Sequence, residues 1–213
     1  MGKIMVVGQA EHEYPPDICR IYLDIEITRK TASEASNVCI ERCEQLLKKL
    51  KEELGIDPSS IEQYSDEIRR ESDYDTNEIN YESKKALCLY IPTNMRSVNT
   101  IRSIIGKGFE DVSFSTEYMV SNEAELSKKL LKEAIVDSRT RAELLAESMG
   151  LKVSGIDSAN LSGQEDVYDL TRESNRVFAC CNKDVLRRQA LSDQLKPELI
   201  KINSEVKIVW LVE

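Results

Sequence analysis

Histidine is almost missing from this chain: His12 is the only one in 213 residues. That removes most histidine-based acid–base catalysis and most zinc sites before any motif is sought. No apolar run is long enough to cross a bilayer as a helix. Cations are also short. Lys and Arg number 29 against 38 Asp and Glu, a net charge of −9. A nucleic-acid or anionic-membrane surface wants clustered cations, so neither partner is expected. A glycine-rich phosphate loop is absent, because Gly106-Lys107-Gly108 lacks both the spacing and the following Ser/Thr. The six cysteines (Cys19, Cys39, Cys43, Cys88, Cys180, Cys181) are too sparse for a disulfide scaffold. They fit a reducing compartment, and the cytoplasm is the expectation. The first ten residues have too short an apolar stretch for a secretory signal and read as a first strand.

What is present is strong patterning. Residues 18–28 alternate, with Cys19, Ile21, Leu23, Ile25 and Ile27 on one side and Arg20, Tyr22, Asp24, Glu26 and Thr28 on the other. That period of two is a half-buried strand. Thr31-Ala32-Ser33-Glu34 has the form of a capping box, and Ala35, Val38, Cys39, Cys43, Leu46, Leu47, Leu50 and Leu54 follow at helical spacing up to Gly55. Strands are expected over 60–71 and 80–92, a short helix from Asn94 to Gly106 or Gly108, and a strand over 112–120. A long helix opens near Asn122. Its apolar side is read as Leu126, Leu130, Leu131, Ala134, Ile135, Ala142, Leu145, Ala146 and Met149, and Gly150 closes it. Further strands are expected over 152–161 and 206–212, with a polar stretch at 162–204 and a short helix at 184–195.

From 18 to 120 the order is β-α-β-β-α-β, the split βαβ arrangement of ferredoxin-like folds. The expected class is therefore α+β. Residues 1–17 and 121–213 would form a second α+β layer in which the first and last strands pair. One tight assembly over 1–213 is expected, with Trp210 packed on the long helix near Leu145 or Met149.

Several motifs together resemble the SIMPL-domain family, the YggE-like proteins. They are Val7-Gly8, Pro16-Asp17 before a long strand, Thr31-Ala32 with Glu34-Ala35, and Leu54-Gly55-Ile56 followed by Ile61. Ser138-Arg139, Arg141-Ala142, Leu145-Ala146 and Gly150 are similar to the signature of that family's long helix, and Val206, Ile208, Trp210 and Leu211 to its closing strand. The resemblance covers nearly everything outside 162–204. It implies an α+β fold, a tendency to symmetric oligomers, and links to stress protection or signalling scaffolds. It brings no catalytic residues.

Candidate chemistry is thin. Cys39 and Cys43 lie one helical turn apart and suit core packing better than a metal site, which would need more ligands. Asp73-Tyr74-Asp75-Thr76-Asn77 opens like a calcium loop, but Glu78 and Lys84 stand where Gly and Glu are required. Arg139 and Arg141 can pair with Glu143 and Asp137 along the helix. His12 has no triad partners around it and reads as an exposed strand-end residue. Cys180 and Cys181 are the candidate reactive thiols, because Arg176, Lys183, Arg187 and Arg188 are near in sequence and cations favour the thiolate. No metal, cofactor or catalytic residue is expected. The leading expectation is a non-enzymatic interaction or scaffold protein that partners with itself, at least as a dimer. The alternative is a ligand-binding or thiol-based oxidative-stress module. Thiol labelling of the native protein tests that alternative: it requires Cys180 and Cys181 to react faster than a free thiol peptide, and equal or slower rates remove its basis.

Overall fold

The computed structural model describes residues 2–72, 79–161 and 191–213. Its elements run β1 (Gly2–Tyr14), β2 (Ile18–Arg29), α1 (Ala32–Leu54), β3 (Ile61–Ser72), β4 (Ile79–Pro92), α2 (Met95–Gly106), β5 (Val112–Met119), α3 (Glu123–Ser148), β6 (Val153–Leu161) and β7 (Ile200–Val212). The class is α+β, with two antiparallel sheets of order β3-β4-β2-β5 and β1-β7-β6. The chain divides into two compact units. One contains 16–72, 79–119 and 191–197; the other contains 2–15, 120–161 and 198–213.

In the first unit, β4 runs antiparallel to both β2 and β3, so β2 and β3 are parallel with β4 inserted between them. This is the split βαβ topology. The alternation in β2 drives it: Cys19, Ile21, Leu23 and Ile25 are fully buried against α1 and α2. Helix α1 contributes Ala35, Cys39, Cys43, Leu46, Leu50 and Leu54, spaced three and four apart along one face. Burying each leucine is worth about 1.5–3 kcal/mol. Thr31 accepts a hydrogen bond from the Glu34 amide at 3.3 Å, and Gly55 ends the helix at φ 68°. Arg42 clamps α1 to the turn before β5. Its guanidinium grips both oxygens of Asp111 (2.7 and 3.0 Å), donates to the Gly108 carbonyl and stacks on Phe109. Asn94 caps α2, accepting from the Arg96 amide, while Thr93 Oγ1 is buried without a partner among the described residues. The helix expected at 184–195 is a 3₁₀ turn over Leu191–Gln194, docked on α2 by Asp193, which accepts from Asn99. The remainder of that expectation lies outside the described residues, as does the hairpin tip at 73–78.

In the second unit, β1 and β7 pair along their full lengths, from Gly2↔Val212 to Tyr14↔Ile200. Strand β7 therefore starts earlier than the expected 206. Helix α3 packs on β1 and β7 and scarcely reaches β6. Its buried positions are Leu130, Ala134, Ser138, Ala142 and Ala146, a strict four-residue ridge of mostly small side chains. This corrects the expected apolar side: Leu145 and Met149 are 46% and 62% exposed, and Ile135 is also exposed. Trp210 is buried as expected, but its neighbour differs. The indole Nε1 donates to Ser138 Oγ at 3.1 Å. A buried indole N–H needs an acceptor, and the Ser hydroxyl supplies it within the small-residue ridge.

Small residues allow close approach, and Gly8 is where β1 comes nearest. A Cβ there would lie 2.0 Å from the Ala134 carbonyl oxygen and 2.7 Å from Ser138 Cβ. Backbone cannot swing aside as a side chain can. Gly8→Ala is therefore expected to destabilise by about 3 kcal/mol in urea unfolding. Gly106→Ala is the comparison. Its added Cβ meets nothing within 4 Å, and a change below about 1 kcal/mol, favourable in sign, is expected.

Candidate functional site

Residues paired across a sheet share a face. On the face of β3-β4-β2-β5 opposite α1 and α2, Arg20 stands between Tyr90 and Glu117, Tyr22 between Cys88 and Ser115, Asp24 between Ala86 and Ser113, and Glu26 beside Lys84. The outward positions of β2 expected from alternation are thus realised. Arg20 organises one end. Its guanidinium lies 4.7 Å from the Tyr22 ring centroid and 5.4 Å from that of Tyr90. Arg20 Nε donates to Cys88 Sγ at 3.2 Å, and Glu117 lies 3.8 Å from its terminal nitrogen. Tyr22 donates to the same Glu117 at 2.9 Å.

Tyr64 organises the middle. Strand β3 has a bulge between Gln63 and Ser65, and Tyr64 is the extra residue. A bulge re-aims a side chain. Here the Tyr64 hydroxyl reaches past the β4 strand and donates to Asp24 on β2 at 2.8 Å. Ala86, the β4 partner of Asp24, is small enough to leave room for it. The Tyr64 ring meets Tyr22 edge-on at 6.0 Å and remains 53% exposed. Lys84 spans Asp24 (3.4 Å) and Glu26 (2.7 Å). Glu62, Glu67, Glu71, Glu82 and Arg69 share this face by register. Seven carboxylates (Asp24, Glu26, Glu62, Glu67, Glu71, Glu82, Glu117) therefore meet three cations (Arg20, Lys84, Arg69). Glu62 makes no ion pair among the described residues.

The tyrosine hydroxyls are tuned by this setting. Burial, followed by the bond to Glu117, pushes the Tyr22 phenol up to about 12. Burial and the bond to Asp24 raise Tyr64, and burial raises Tyr90. On the helix-covered side, burial lifts the Cys19 thiol to about 11 and also raises Cys39 and Cys43. None of these groups is poised as a base or nucleophile near neutral pH.

Other candidates are dispersed. Cys39 and Cys43 are buried in the core, and no group of metal-binding side chains occurs among the described residues. Cys180 and Cys181, the candidate reactive thiols, lie outside the described residues, as do Asp73–Asn77 of the calcium-like stretch. Arg139 pairs with Glu143 at 2.8 Å and Arg141 with Asp137 at 2.9 Å, as their spacing predicted. Asp137 and Arg141 also serve β1: the Gln9 amide donates to Asp137 at 2.9 Å, and Arg141 donates to the Val7 carbonyl at 3.4 Å. His12 is exposed two residues before the end of β1, as expected, and lies 2.8 Å from Glu133. No helix among the described residues is long and apolar enough to cross a membrane.

Residues 4–210 match the SIMPL family, described as a protein of unknown function (DUF541). With nearly the whole chain matched, the protein belongs to the SIMPL family. No curated protein matches. Among solved structures, it is similar to the divalent ion tolerance protein CutA1 from Ehrlichia chaffeensis, at 12% identity and a TM-score of 0.34. That match covers 58% of this chain and 96% of the other. It is also similar to a putative aminohydrolase from methicillin-resistant Staphylococcus aureus, at 15% identity and a TM-score of 0.23, covering 62% of this chain and 39% of that one.

The raised phenols and thiols fix the sign of the alkaline response. The unfolded chain ionises thiols near 9 and tyrosines near 10, while folded Cys19 and Tyr22 hold their protons to about 11 and 12. Their contribution is full below the unfolded values and is lost as pH rises through the folded ones. Stability in urea is expected to fall steadily between those limits, and Tyr22→Phe to flatten the upper part of the fall. A flat profile would mean that Tyr22 is not held neutral by the sheet.

Proposed function

We propose that this protein is a non-enzymatic, homo-oligomerising interaction protein of the cytoplasm, assembled through the edge of β6. The observation that carries the reading is the bareness of that edge among the described residues. Ile156, Ala159 and Leu161 pair with Trp210, Ile208 and Val206, so they share the face that α3 covers over β7. The helix stops short of them, leaving Ile156 and Leu161 52% and 47% exposed. Strand β6 contains one charged residue, Asp157, already bonded to Lys3.

The other edges are defended. Strand β1 has its outer backbone bonded to Asp137 and Arg141, β3 is dense in charge, and β5 is only eight residues long. Charge, covering groups and shortness are the usual protections against edge pairing. Two bulges disturb the first half of β6 but leave Ser158–Leu161 in regular register. A second copy pairing there would cover the bare apolar residues of both subunits at once, in a closed two-fold arrangement. An interface above about 1,000 Å² in total is expected.

Sedimentation velocity tests this directly. The protein is expected to run as a dimer or larger species at micromolar concentration, and Ile156→Lys/Leu161→Lys as a monomer with an unchanged melt. Added salt should leave the assembly intact or strengthen it, because it screens repulsion between chains of net charge −9. A strict monomer, or dissociation on adding salt, would remove the reading.

A further inference from the structure

We propose that the face of β3-β4-β2-β5 opposite α1 and α2 docks an extended, arginine-bearing segment of a partner protein. The face belongs to the unit containing β2, whereas self-assembly is assigned to β6 in the other, so the two ideas stand independently. Three features point to a guanidinium partner. The face already holds one: Arg20 lies over Tyr22 and Tyr90 with the Glu117 carboxylate beside it, the pairing of ring face and carboxylate that arginine favours. One step along the sheet, Tyr64 offers a second, half-exposed ring, fixed by its bond to Asp24 and its edge contact with Tyr22. Glu62, a neighbour of Tyr64 on β3, makes no ion pair among the described residues, and carboxylates outnumber cations across the face by seven to three. A second copy is a poor occupant, since it would stack one acidic face on another. Arginine fits better than lysine because a planar fork can stack on a ring and grip a carboxylate together. Exposed tyrosine framed by charge is also the composition of an interface centre and its rim.

The probe is a fluorescently labelled peptide of alternating arginine and threonine, eight residues long to match β5. Lysine–threonine and glutamate–threonine peptides serve as comparisons, and binding is read by anisotropy on the full chain. The arginine peptide is expected to bind roughly 3–10-fold more tightly than the lysine peptide, and the glutamate peptide not at all. Tyr64→Ala should weaken arginine-peptide binding roughly 5–30-fold. Glu62→Gln, a surface change that spares the fold, should weaken it about 3-fold. Glu41→Gln and Glu44→Gln, exposed on α1, change the net charge equally and should leave it unaltered. Equal affinity for the lysine peptide, or equal loss in the α1 variants, would reduce the effect to bulk charge and overturn the proposal. So would a change in the protein's own sedimentation on Tyr64→Ala without loss of peptide binding, because the occupant would then be a second copy.

Discussion

Strand β2 has a hydrogen-bonded neighbour on each side, and its period of two sets both faces of its sheet. Inward, Cys19, Ile21, Leu23 and Ile25 must find apolar cover, and α1 and α2 supply it. Outward, each position of β2 selects one partner from β4 and one from β5. A slip of one residue would exchange the two sets and bury Arg20, Asp24 and Glu26, so the register is strongly held. The polar and aromatic face is therefore a consequence of the core. The bulge at Tyr64 is the exception to strict alternation, and it adds the one ring on this face that, among the described residues, remains more than half exposed.

The second unit rests on a different constraint, closeness. Gly8, Ala134 and Ser138 let β1 and α3 approach to backbone contact. Such an approach requires small side chains at Ala134 and Ser138, and Leu145 and Met149 lie on the exposed side of the helix. It also centres α3 over β1 and β7, with Trp210 tied to Ser138. A helix seated over two strands of three leaves the third uncovered. The bareness of β6 thus follows from the small residues of α3, several positions away from it in space and sequence.

Strong periodicity was readable without coordinates. The β2 alternation, the α1 ridge from Ala35 to Leu54, the pairing of first and last strands, and the split βαβ order all stand in the structure. The apolar side of α3 was misread because hydrophobic pattern ranks leucine and methionine above alanine and serine. Burial there was decided by steric closeness to Gly8, which no period reveals. Tyr64, Cys88 and Tyr90 were missed for a related reason. Their place beside Arg20 and Asp24 depends on a bulge and on register between strands distant in sequence. A tyrosine in an otherwise charged strand was the only local signal. Arg42 was hidden likewise, since its partner Asp111 is 69 positions away and belongs to a turn.

The two surfaces differ in the physics that would hold a partner. At β6 the attraction is apolar burial and backbone pairing, opposed by the net negative charge of each chain. On the tyrosine face the attraction is itself electrostatic, with ring quadrupoles and carboxylates acting on a cation. Screening therefore acts on them with opposite sign, strengthening the first and weakening the second. A chain built as proposed would hold its own copies while exchanging a charged partner. The shared cause is composition: an acidic surface deters pairing of like chains, and β6, with a single carboxylate already bonded and apolar side chains exposed, is the edge strand on which that repulsion acts least in the proposed assembly.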